Sequence, residues 1–385
     1  MYIVDAAGLE QVCGRLKGQA RIALDTEFVG EGTFTPTLEL VQVAAGDVCA
    51  AIDVQAVGSL DCLADVLHDP GIEKVLHAGR QDLELFLAHT GKIPAPVFDT
   101  QVAAAMVGYG TQVAYASLVQ RIVGARIDKS HTLSNWSQRP LSREQVAYAL
   151  EDVQFLLQVH AHLQQRLEQL GRQEWIEEEF QRLAAKVGEG VQDPGERYQR
   201  IRGWENLKPR AVAVLRELVR WREAEAKRRN VPRGRVVRDE ILLELARRTP
   251  STVAQLRATR GLHAGEIERN GETLLATIRA GVALPEDAWP QAPRVVKPDL
   301  EPNGLVDLLQ AVLKAKAAEH EIAPGLLATA DDLQLLAAGE ASEELPILCG
   351  WRRKLAGEAL IEALAGRVAV AVEPRKRRLT FLPTR

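Results

Sequence analysis

Two carboxylates separated by a single residue, Asp25 and Glu27, lie in the segment LDTEF near the amino terminus. Alternate side chains of a β-strand point to the same face, so a strand here would place both carboxylates side by side. Neighbouring carboxylates repel each other unless a cation lies between them, and hard oxygen ligands of this kind suit Mg²⁺ or Mn²⁺. A triplet of this type is common, and taken alone it also suits an exposed polar strand end.

A second pair, Tyr148 and Asp152, has the spacing of one helical turn in a helix predicted to begin near Ser142. Residues four apart lie above one another on the same helix face. The apolar stripe of this helix falls on the opposite side, at Val146, Ala149, Leu150, Val153 and Leu157. Tyr148 and Asp152 are therefore not needed for the stripe, and we expect them to project into a cleft.

A further carboxylate, Asp82, follows His77 in the segment VLHAGRQDLELF, near the start of another predicted helix. An aspartate in the first helical turn is favourable for the helix dipole alone. By itself, Asp82 is thus as well explained by helix stability as by chemistry.

The elements that must position these residues alternate between strand and helix. Short segments rich in branched residues and bounded by glycine or charged turns predict strands at 2–5, 21–28, 38–44, 47–53 and 74–78. Helical periodicity is found near 58–68, 80–89, 99–107, 114–122 and 142–168. This alternation predicts an α/β domain with a mixed sheet.

The rest of the chain is predicted to be mainly helical. A helix at 172–187 runs into a Gly- and Pro-containing linker at 188–196, and periodic segments from about residue 205 onward are helical. A Pro-rich stretch at 284–302 divides this helical part in two. The segment VAVAVEPRKRRLTFL at 368–382 suits a small strand pair or an ordered tail.

Charge is distributed unevenly along the sequence. Residues 1–170 contain 12 Lys/Arg and 20 Asp/Glu, a net −8, whereas residues 200–284 contain 19 and 10, a net +9. Such asymmetry is typical of nucleic-acid contact, although a solvated surface would give the same count. On charge alone the solvated surface is the preferred interpretation. A basic cluster that follows a long predicted helix becomes a candidate for phosphate contacts only beside a nucleic-acid enzyme: Lys227, Arg228, Arg229, Arg233, Arg235 and Arg238.

Several protein classes are disfavoured. The length of 385 residues favours two or three domains. The four cysteines are scattered without a CxxC spacing, which suits a reducing cytosol and does not support a zinc site or a disulfide framework. The first residues lack a signal-peptide pattern, and no apolar run approaches the roughly 18 residues of a membrane helix. No GxxxxGK[ST] motif occurs, so a helicase motor is not expected. We expect a cytoplasmic protein.

Taken as a set, the four acids and Tyr148 resemble the DEDD exonuclease superfamily, in the subgroup with a tyrosine in its third motif. The surrounding segments are similar to those of ribonuclease D: LDTEF at 24–28, HAGRQDLELF at 77–86, FDTQVAA at 98–104 and NWSQRPLSREQVAYALEDVQFL at 135–156. This resemblance covers nearly all of 1–170. Residues 207–247 resemble an HRDC domain, the helical module shared by RecQ-type helicases and ribonuclease D. Residues 303–385 are loosely similar to a diverged second copy.

The resemblance implies a ribonuclease H-like exonuclease domain at 1–170, a helix and linker at 171–204, an HRDC domain at 205–284 and a second HRDC-like domain at 298–385. It implies a 3′→5′ exoribonuclease that releases 5′-monophosphates by two-metal hydrolysis, with structured RNA such as tRNA precursors as substrate. Asp25, Glu27, Asp82 and Asp152 would hold two Mg²⁺ or Mn²⁺ ions, and Tyr148 would orient the attacking water. Thr26, Phe28 and His77 would line the pocket for the 3′ end. Gln42, Asp99 and Trp136 would be scaffold residues.

Two alternatives stay open at this point. A 3′→5′ DNA exonuclease would carry the same four acids, and recognition of the 2′-hydroxyl, which separates the two activities, is not visible in any single residue. A non-catalytic RNA-binding protein on an inactive nuclease fold is disfavoured by the intact acids and Tyr148. We expect a monomer without an obligate protein partner.

Overall fold

The computed structural model describes residues 1–30, 32–127, 134–188, 193–290, 304–339 and 345–384. These residues form two compact units. The described residues of 1–27, 38–185 and 304–384 belong to the first unit, and those of 28–37 and 186–290 belong to the second. The second unit is therefore inserted into the chain of the first.

The first unit is built on a mixed sheet of six strands. They are β1 (Tyr2–Ile3), β2 (Arg21–Val29), β3 (Thr37–Ala45), β4 (Val48–Asp53), β5 (Glu73–Leu76) and β6 (Val97–Asp99), in the spatial order β1-β4-β3-β2-β5-β6. β1 is parallel to β4, and β5 is parallel to β2 and β6, whereas β3 and β4 are antiparallel. The register sets Arg21 opposite Glu73 and Lys74 opposite Val97. Strand β2, which carries Asp25 and Glu27, is thus an interior strand.

Nine helices accompany these strands in the described part of 1–188. They are α1 (Ala6–Leu16), α2 (Val54–Val57), α3 (Asp61–His68), α4 (Arg80–Thr90), α5 (Thr100–Met106), α6 (Tyr115–Ile122), α7 (Arg143–Gln154), α8 (Leu156–Gln169) and α9 (Gln173–Gly188). Ala23 of β2 and Val75 of β5 share one apolar core with Ala104, Val153 and Val159 of α5, α7 and α8. Helices α5 to α8 therefore cover the sheet face on which the side chain of Ala23, and by alternation that of Asp25, lies.

The start of α7 is fixed by a capping box. The Ser142 hydroxyl accepts a hydrogen bond from the Gln145 backbone N–H at 3.1 Å, and the Gln145 side chain accepts one from the Ser142 N–H at 2.9 Å. This reciprocal arrangement satisfies backbone donors that the helix itself cannot pair. It sets the helix start from which Tyr148 and Asp152 are counted.

The carboxyl-terminal residues of the first unit complete its core. They form α15 (Leu305–Glu319), α16 (Pro324–Leu327), α17 (Ala330–Ala337), α18 (Gly350–Arg352) with a following π-helical turn (Arg353–Gly357), α19 (Glu358–Leu364) and an antiparallel hairpin of β7 (Val368–Glu373) and β8 (Arg378–Pro383). Leu313 and Trp351 lie in the same apolar core as Leu163 and Phe180, and the rings of Trp175 and Trp351 stack with centroids 5.2 Å apart. This segment is a structural part of the first unit.

Arg172 links the carboxyl-terminal segment of the first unit to the helices that follow its sheet. The side chain is 5% exposed, and its guanidinium donates to the carbonyls of Met106 at 2.5 Å, Glu321 at 3.1 Å and His320. The backbone N–H of Ala323 also donates to the carbonyl of Ala105 at 2.8 Å. A buried arginine that satisfies several carbonyls fixes the relative position of the segments that supply them.

The second unit is all-helical apart from residues 28–37. It contains α10 (Pro209–Arg229), α11 (Arg233–Val236), α12 (Asp239–Arg248), α13 (Val253–Arg257) and α14 (Ala264–Ala283), preceded by 3₁₀ turns at Pro194–Arg200 and Trp204–Asn206 and followed by one at Glu286–Ala288. Tyr198 and Trp204 pack edge to face within its core, with centroids 4.8 Å apart. The backbone N–H of Phe34 donates to the Asn230 side chain at 3.2 Å.

The predicted α/β domain with a mixed sheet, followed by helical parts, is confirmed, with local differences. Helices α1 and α2 and strand β6 were not predicted, and the predicted helix at 142–168 is interrupted at Phe155. The segment at 193–204 packs within the second unit, where a linker was predicted; residues 189–192 and 291–303 of the predicted linkers lie outside the described residues. None of the helices in the described ranges has the length and apolar character of a membrane span.

Candidate active site

Asp25 and Glu27 of β2 and Asp152 of α7 converge on one point. Each offers a carboxylate oxygen, and these oxygens lie within 4.8 Å of one another. All three residues are half-buried. Strand alternation puts the first two on one face, and the packing of α7 over that face brings in the third, 125 residues later in the chain.

The carboxylates of this cluster raise one another's pKa. Burial, followed by the charges of Asp82, Asp152 and Glu27, raises the pKa of Asp25 well above its usual value. Burial and the charges of Asp152 and Asp82 raise the pKa of Glu27 to about 8. Burial, with a contribution from Glu151, raises the pKa of Asp152 to about 7. In the metal-free protein, the ionised forms of these three carboxylates are therefore disfavoured by burial and by their mutual repulsion.

Asp82 lies in the first turn of α4, as predicted, and is held beside the cluster by Thr26. The Thr26 hydroxyl donates a hydrogen bond to the Asp82 carboxylate, and both side chains are buried. Burial raises the pKa of Asp82 to about 6, against the opposing effect of this hydrogen bond. The charge of Asp82 in turn contributes to the raised pKa values of Asp25 and Glu27.

The donor set fits divalent cations. Four carboxylates offer hard oxygen ligands, and three of them lie close enough together to bind the same ion. Among the described residues, the pKa shifts of Glu27 and Asp152 arise from burial and neighbouring acids, with no lysine or arginine offsetting them. A bound cation would relieve this repulsion, which is the arrangement expected of a metal centre.

Tyr148 lies one turn before Asp152 on α7 and packs against Trp136. The two rings are 6.1 Å apart between centroids and inclined by 34°. Trp136 is 3% exposed, so it forms a fixed wall for the half-buried tyrosine. Such packing limits the rotamers of Tyr148, and the spacing of four residues puts Tyr148 and Asp152 on the same helix face.

Arg139 fixes the loop that carries Trp136. Its guanidinium contacts both carboxylate oxygens of Asp53, at 2.6 and 3.0 Å, and the carboxylate of Glu39 at 3.3 Å. It also donates to the Trp136 carbonyl at 2.5 Å. The approach to α7 is thereby tied to the ends of β3 and β4. The sequence analysis did not identify this residue, since its partners lie 86 and 100 positions away.

Tyr115 is a further residue of the site region that was not predicted. Its hydroxyl accepts a hydrogen bond from the Phe155 N–H at 3.2 Å and donates to the Glu151 carbonyl at 3.5 Å. Burial, and then the charges of Asp152 and Asp25, raise the pKa of Tyr115, so it lies beside the acids. It supports the backbone where α7 ends and α8 begins, directly after Asp152. No spacing in the sequence singles it out.

The residues predicted to line a 3′-end pocket have protein partners of their own. Both ring nitrogens of His77 lie 3.0 Å from acceptor-capable atoms, Nδ1 from the Thr100 hydroxyl and Nε2 from the Val113 carbonyl. Burial lowers the pKa of His77. Thr26 is engaged with Asp82, and Phe28 is half-buried where β2 enters the second unit. Their role toward a substrate stays a prediction.

Asp99 and Gln42, predicted to be scaffold residues, are both buried. The Asp99 carboxylate accepts hydrogen bonds from the N–H groups of Gly79 at 2.9 Å and Gln101 at 2.8 Å, which joins the turn before α4 to the start of α5. Gln42 is fully buried in the interior strand β3. Asp99 therefore positions the helix that carries Asp82.

The basic cluster of the second unit is largely engaged in ion pairs. Arg228 pairs with Glu225 at 2.8 Å, Arg229 with Glu266 at 3.0 Å and Arg233 with Glu223 at 2.7 Å, and these three glutamates are at least nine-tenths buried. The Arg233 guanidinium also lies 4.5 Å from the centre of the Phe34 ring. Lys227, Arg235 and Arg238 are exposed and have no ion pair within the described residues. The arginine positions thus contribute to the fold of this unit, whatever else they contact.

Comparison with protein families gives two matches. The family model described as 3′-5′ exonuclease matches residues 1–168, and the HRDC domain model matches residues 211–278. Curated relatives are similar over the whole chain. The ribonuclease D of Granulibacter bethesdensis is 40% identical, covering 98% of this chain and 95% of its own, and that of Acidiphilium cryptum is 40% identical, covering 100% and 97%.

Solved structures agree with these matches. The crystal structure of Escherichia coli RNase D, an exoribonuclease involved in structured RNA processing, has a TM-score of 0.81 and 32% identity and covers 95% of this chain and 98% of its own. The catalytic core of RRP6 from Trypanosoma brucei has a TM-score of 0.54 and 22% identity over 74% of this chain and 80% of its own, a likeness of fold alone.

Proposed function

The chain belongs to the ribonuclease D family, and from this premise we propose that it is a metal-dependent 3′→5′ exoribonuclease acting on structured RNA. The observation that carries the proposal is the convergence of Asp25, Glu27 and Asp152, within 4.8 Å, in the domain that matches the 3′-5′ exonuclease family. The alternatives raised by the sequence are weakened by the same findings, because the relatives are named as ribonucleases and the acids form an intact cluster.

The four acids would hold two divalent cations, Mg²⁺ or Mn²⁺. Asp25, Glu27 and Asp152, whose carboxylates lie close together, would hold these ions with Asp82 beside them. Bound divalent cations supply Lewis acidity that activates water and stabilises charge on the scissile phosphate. The protein's part is to hold four carboxylates close together, by strand alternation, by the cover of α7 and by the Thr26–Asp82 hydrogen bond.

Tyr148 would orient the attacking water through its hydroxyl. The water oxygen attacks the last phosphorus, the bond to the 3′-oxygen of the preceding nucleotide breaks, and the released proton ends on that oxygen or in solvent. The terminal nucleotide leaves as a 5′-monophosphate. Packing of Tyr148 on Trp136, and of the Trp136 loop on Arg139, supports this role because positioned groups contribute to rate only when held in place.

Beyond the activity, we propose a substrate, the residues that contact it, and the location and organisation of the protein. Precursors of tRNA are the proposed RNA, with Thr26, Phe28 and His77 near its 3′ end. Lys227, Arg228, Arg229, Arg233 and Arg235 of the HRDC unit are proposed to contact phosphates, with the exposed Lys227 and Arg235 best placed to do so. We propose a cytoplasmic monomer whose sequence modules are the ranges 1–170, 171–204, 205–284 and 298–385, with the first and last of them sharing the core of the first unit.

The proposal is tested by incubating the protein with matched 5′-labelled RNA and DNA oligomers in Mg²⁺, Mn²⁺ or EDTA. The expected result is stepwise shortening of RNA from its 3′ end, with 5′-monophosphate products, lost in EDTA. Asp25→Asn and Asp152→Asn should abolish it while leaving the melting temperature unchanged or raised, because each removes charge from a crowded site. Equal or faster degradation of DNA would favour a DNA exonuclease. Tight RNA binding without cleavage in any metal would favour the non-catalytic reading.

A further inference from the structure

The turn that joins β7 and β8 is strongly basic. Residues 367–384 contain five basic residues and one acidic residue, a net +4, whereas residues 1–27 and 38–170 of the same unit carry a net −7. The four residues between the strands are all exposed: Pro374, Arg375, Lys376 and Arg377. The hairpin therefore places a compact positive charge on a predominantly acidic unit.

The hairpin is anchored, so its turn occupies a defined position. Val370 and Phe381 are cross-strand partners, and both pack against the core of the first unit. The Lys316 ammonium lies 5.0 Å from the centre of the Phe381 ring. The Thr384 N–H donates to the Arg367 carbonyl at 3.0 Å and closes the open end. A held group loses less conformational freedom on binding a ligand than one on a free tail.

Two of the turn's charges make no ion pair within the described part of the chain. Lys376 and Arg378 share Glu373, at 3.0 and 2.9 Å, whereas Arg375 and Arg377 make no ion pair with any described residue. The arginines at 228, 229 and 233 differ in this respect, because each pairs with a buried glutamate. Arg375 and Arg377 thus remain available to an external anion.

The backbone of Arg377 is in the left-handed region, with φ of +47°. Glycine or asparagine suits such a turn position better than a long side chain does. The turn itself therefore gives no reason for an arginine at this position. Residues in disfavoured backbone conformations often occur at binding sites.

We propose that the turn of residues 374–377 is a phosphate-contact site for the RNA substrate, on the first unit itself. This inference rests on the proposed function, and it names where that unit attracts a polyanion. RNA is favoured over an anionic membrane because the exposed apolar residues of the hairpin do not form a continuous face. Val372, 62% exposed, lies near the turn, whereas Leu382, 50% exposed, is paired with Ala369 toward the open end.

The test compares two double variants that each remove two positive charges from the first unit. Arg375→Gln/Arg377→Gln changes the turn. Arg353→Gln/Lys354→Gln is the matched control, since both residues are exposed and have no ion pair within the described residues. Binding of a tRNA-sized RNA is measured in EDTA over a range of salt. The turn variant should bind on the order of tenfold more weakly at about 0.1 M salt, with a log K versus log salt slope smaller by roughly 1.4–1.8.

The control should bind as the unaltered protein does, and Arg375→Lys/Arg377→Lys should retain most of the affinity because it keeps the charges. Equal affinity in turn variant and unaltered protein would overturn the proposal. So would equal losses in turn variant and control, which would indicate net charge alone. Loss of binding to phosphatidylglycerol vesicles with unchanged RNA affinity would assign the turn to a membrane.

Hydrolysis of a short RNA by the unaltered protein in Mn²⁺ tests the proposed function separately. If RNA binding depends on the turn but no hydrolysis occurs, the phosphate-contact site is supported and the proposed nuclease activity is rejected.

Discussion

The Thr26 hydroxyl donates a hydrogen bond to the Asp82 carboxylate, across 56 positions of sequence. Thr26 lies between Asp25 and Glu27 on β2, so the strand that presents two acids of the cluster also holds a third from α4. The bond opposes the rise in the pKa of Asp82 that burial causes. One strand residue thereby controls both the position and the charge of Asp82.

Replacement of Thr26 by valine should therefore weaken the metal centre. The valine keeps the volume and removes the donor, which leaves a buried carboxylate short of a partner at a cost of about 1–3 kcal/mol and raises the pKa of Asp82 further. We expect weaker Mn²⁺ binding by calorimetry and slower turnover, with Thr26→Ser as the control that restores the hydroxyl. Indistinguishable metal affinity in the valine and serine variants would show that the bond does not support the site.

The raised carboxylate pKa values predict how the metal-free protein responds to pH. The folded pKa of Glu27 is about 8 and that of Asp152 about 7, both above the ordinary unfolded values near 4. Between about pH 4 and the folded pKa values, the folded protein therefore binds more protons than the unfolded chain. Its free energy of unfolding is highest at the low end of this pH range and falls as the pH rises toward the folded pKa values.

We expect the free energy of unfolding in EDTA to decrease from pH 5.5 to 7.5, and to decrease less in Glu27→Gln. Mn²⁺ affinity should rise over the same interval, because the acids must lose protons to bind it. The measurement is urea unfolding at fixed pH, with and without metal. A stability that rises with pH equally in both proteins would contradict the assignment of a repulsive acidic cluster.

Tyr148→Phe should slow single-turnover hydrolysis by roughly 10²–10⁴, the span for losing one orienting or acid–base group. The ring would still pack on Trp136, so RNA affinity and melting temperature should change little. Tyr109→Phe is the matched control, since its hydroxyl bonds to His162 at 2.9 Å, a contact outside the acidic cluster. A Tyr148 variant with normal turnover at saturating RNA would remove the role given to the hydroxyl.

Arg172→Met should destabilise the first unit by roughly 3 kcal/mol, because three backbone carbonyls lose a charged donor in a buried setting. Arg166→Met is the control from the same neighbourhood. Arg166 pairs with the Glu321 side chain at 3.1 Å on the surface, where such pairs contribute about 0–1 kcal/mol. Chemical unfolding distinguishes the two, and equal losses would mean that Arg172 has no special structural role.

Local patterns predicted much of the site. Asp25 with Glu27, and Tyr148 with Asp152, are set by strand alternation and helix periodicity, which depend only on neighbouring residues. Helix α1 was missed although Asp5 caps it, because Gly8 and Gly14 weaken its helical propensity. Strand β6 has only three residues, too few for a period to be recognised.

Contacts between distant segments could not be predicted. The links of Arg139 to Asp53 and of Tyr115 to Phe155 depend on packing, and so does the pairing of Arg233 with Glu223. The last of these changes the interpretation of the basic cluster, because charge counts along a sequence do not show which charges neutralise each other. Side-chain identity gives the chemistry available, and tertiary packing decides which partner each group finds.

The shared core of the first unit has a consequence for biosynthesis. Phe180 packs in one core with Trp351, yet a ribosome reaches Trp351 roughly 170 residues later, about 10–35 s at ordinary elongation rates. During that interval the nascent nuclease has its four acids but lacks part of its apolar cover. Chains cut short by a broken message would expose that surface and be open to chaperones and proteases. Only chains translated through the final helices would then reach full stability and keep their nuclease activity.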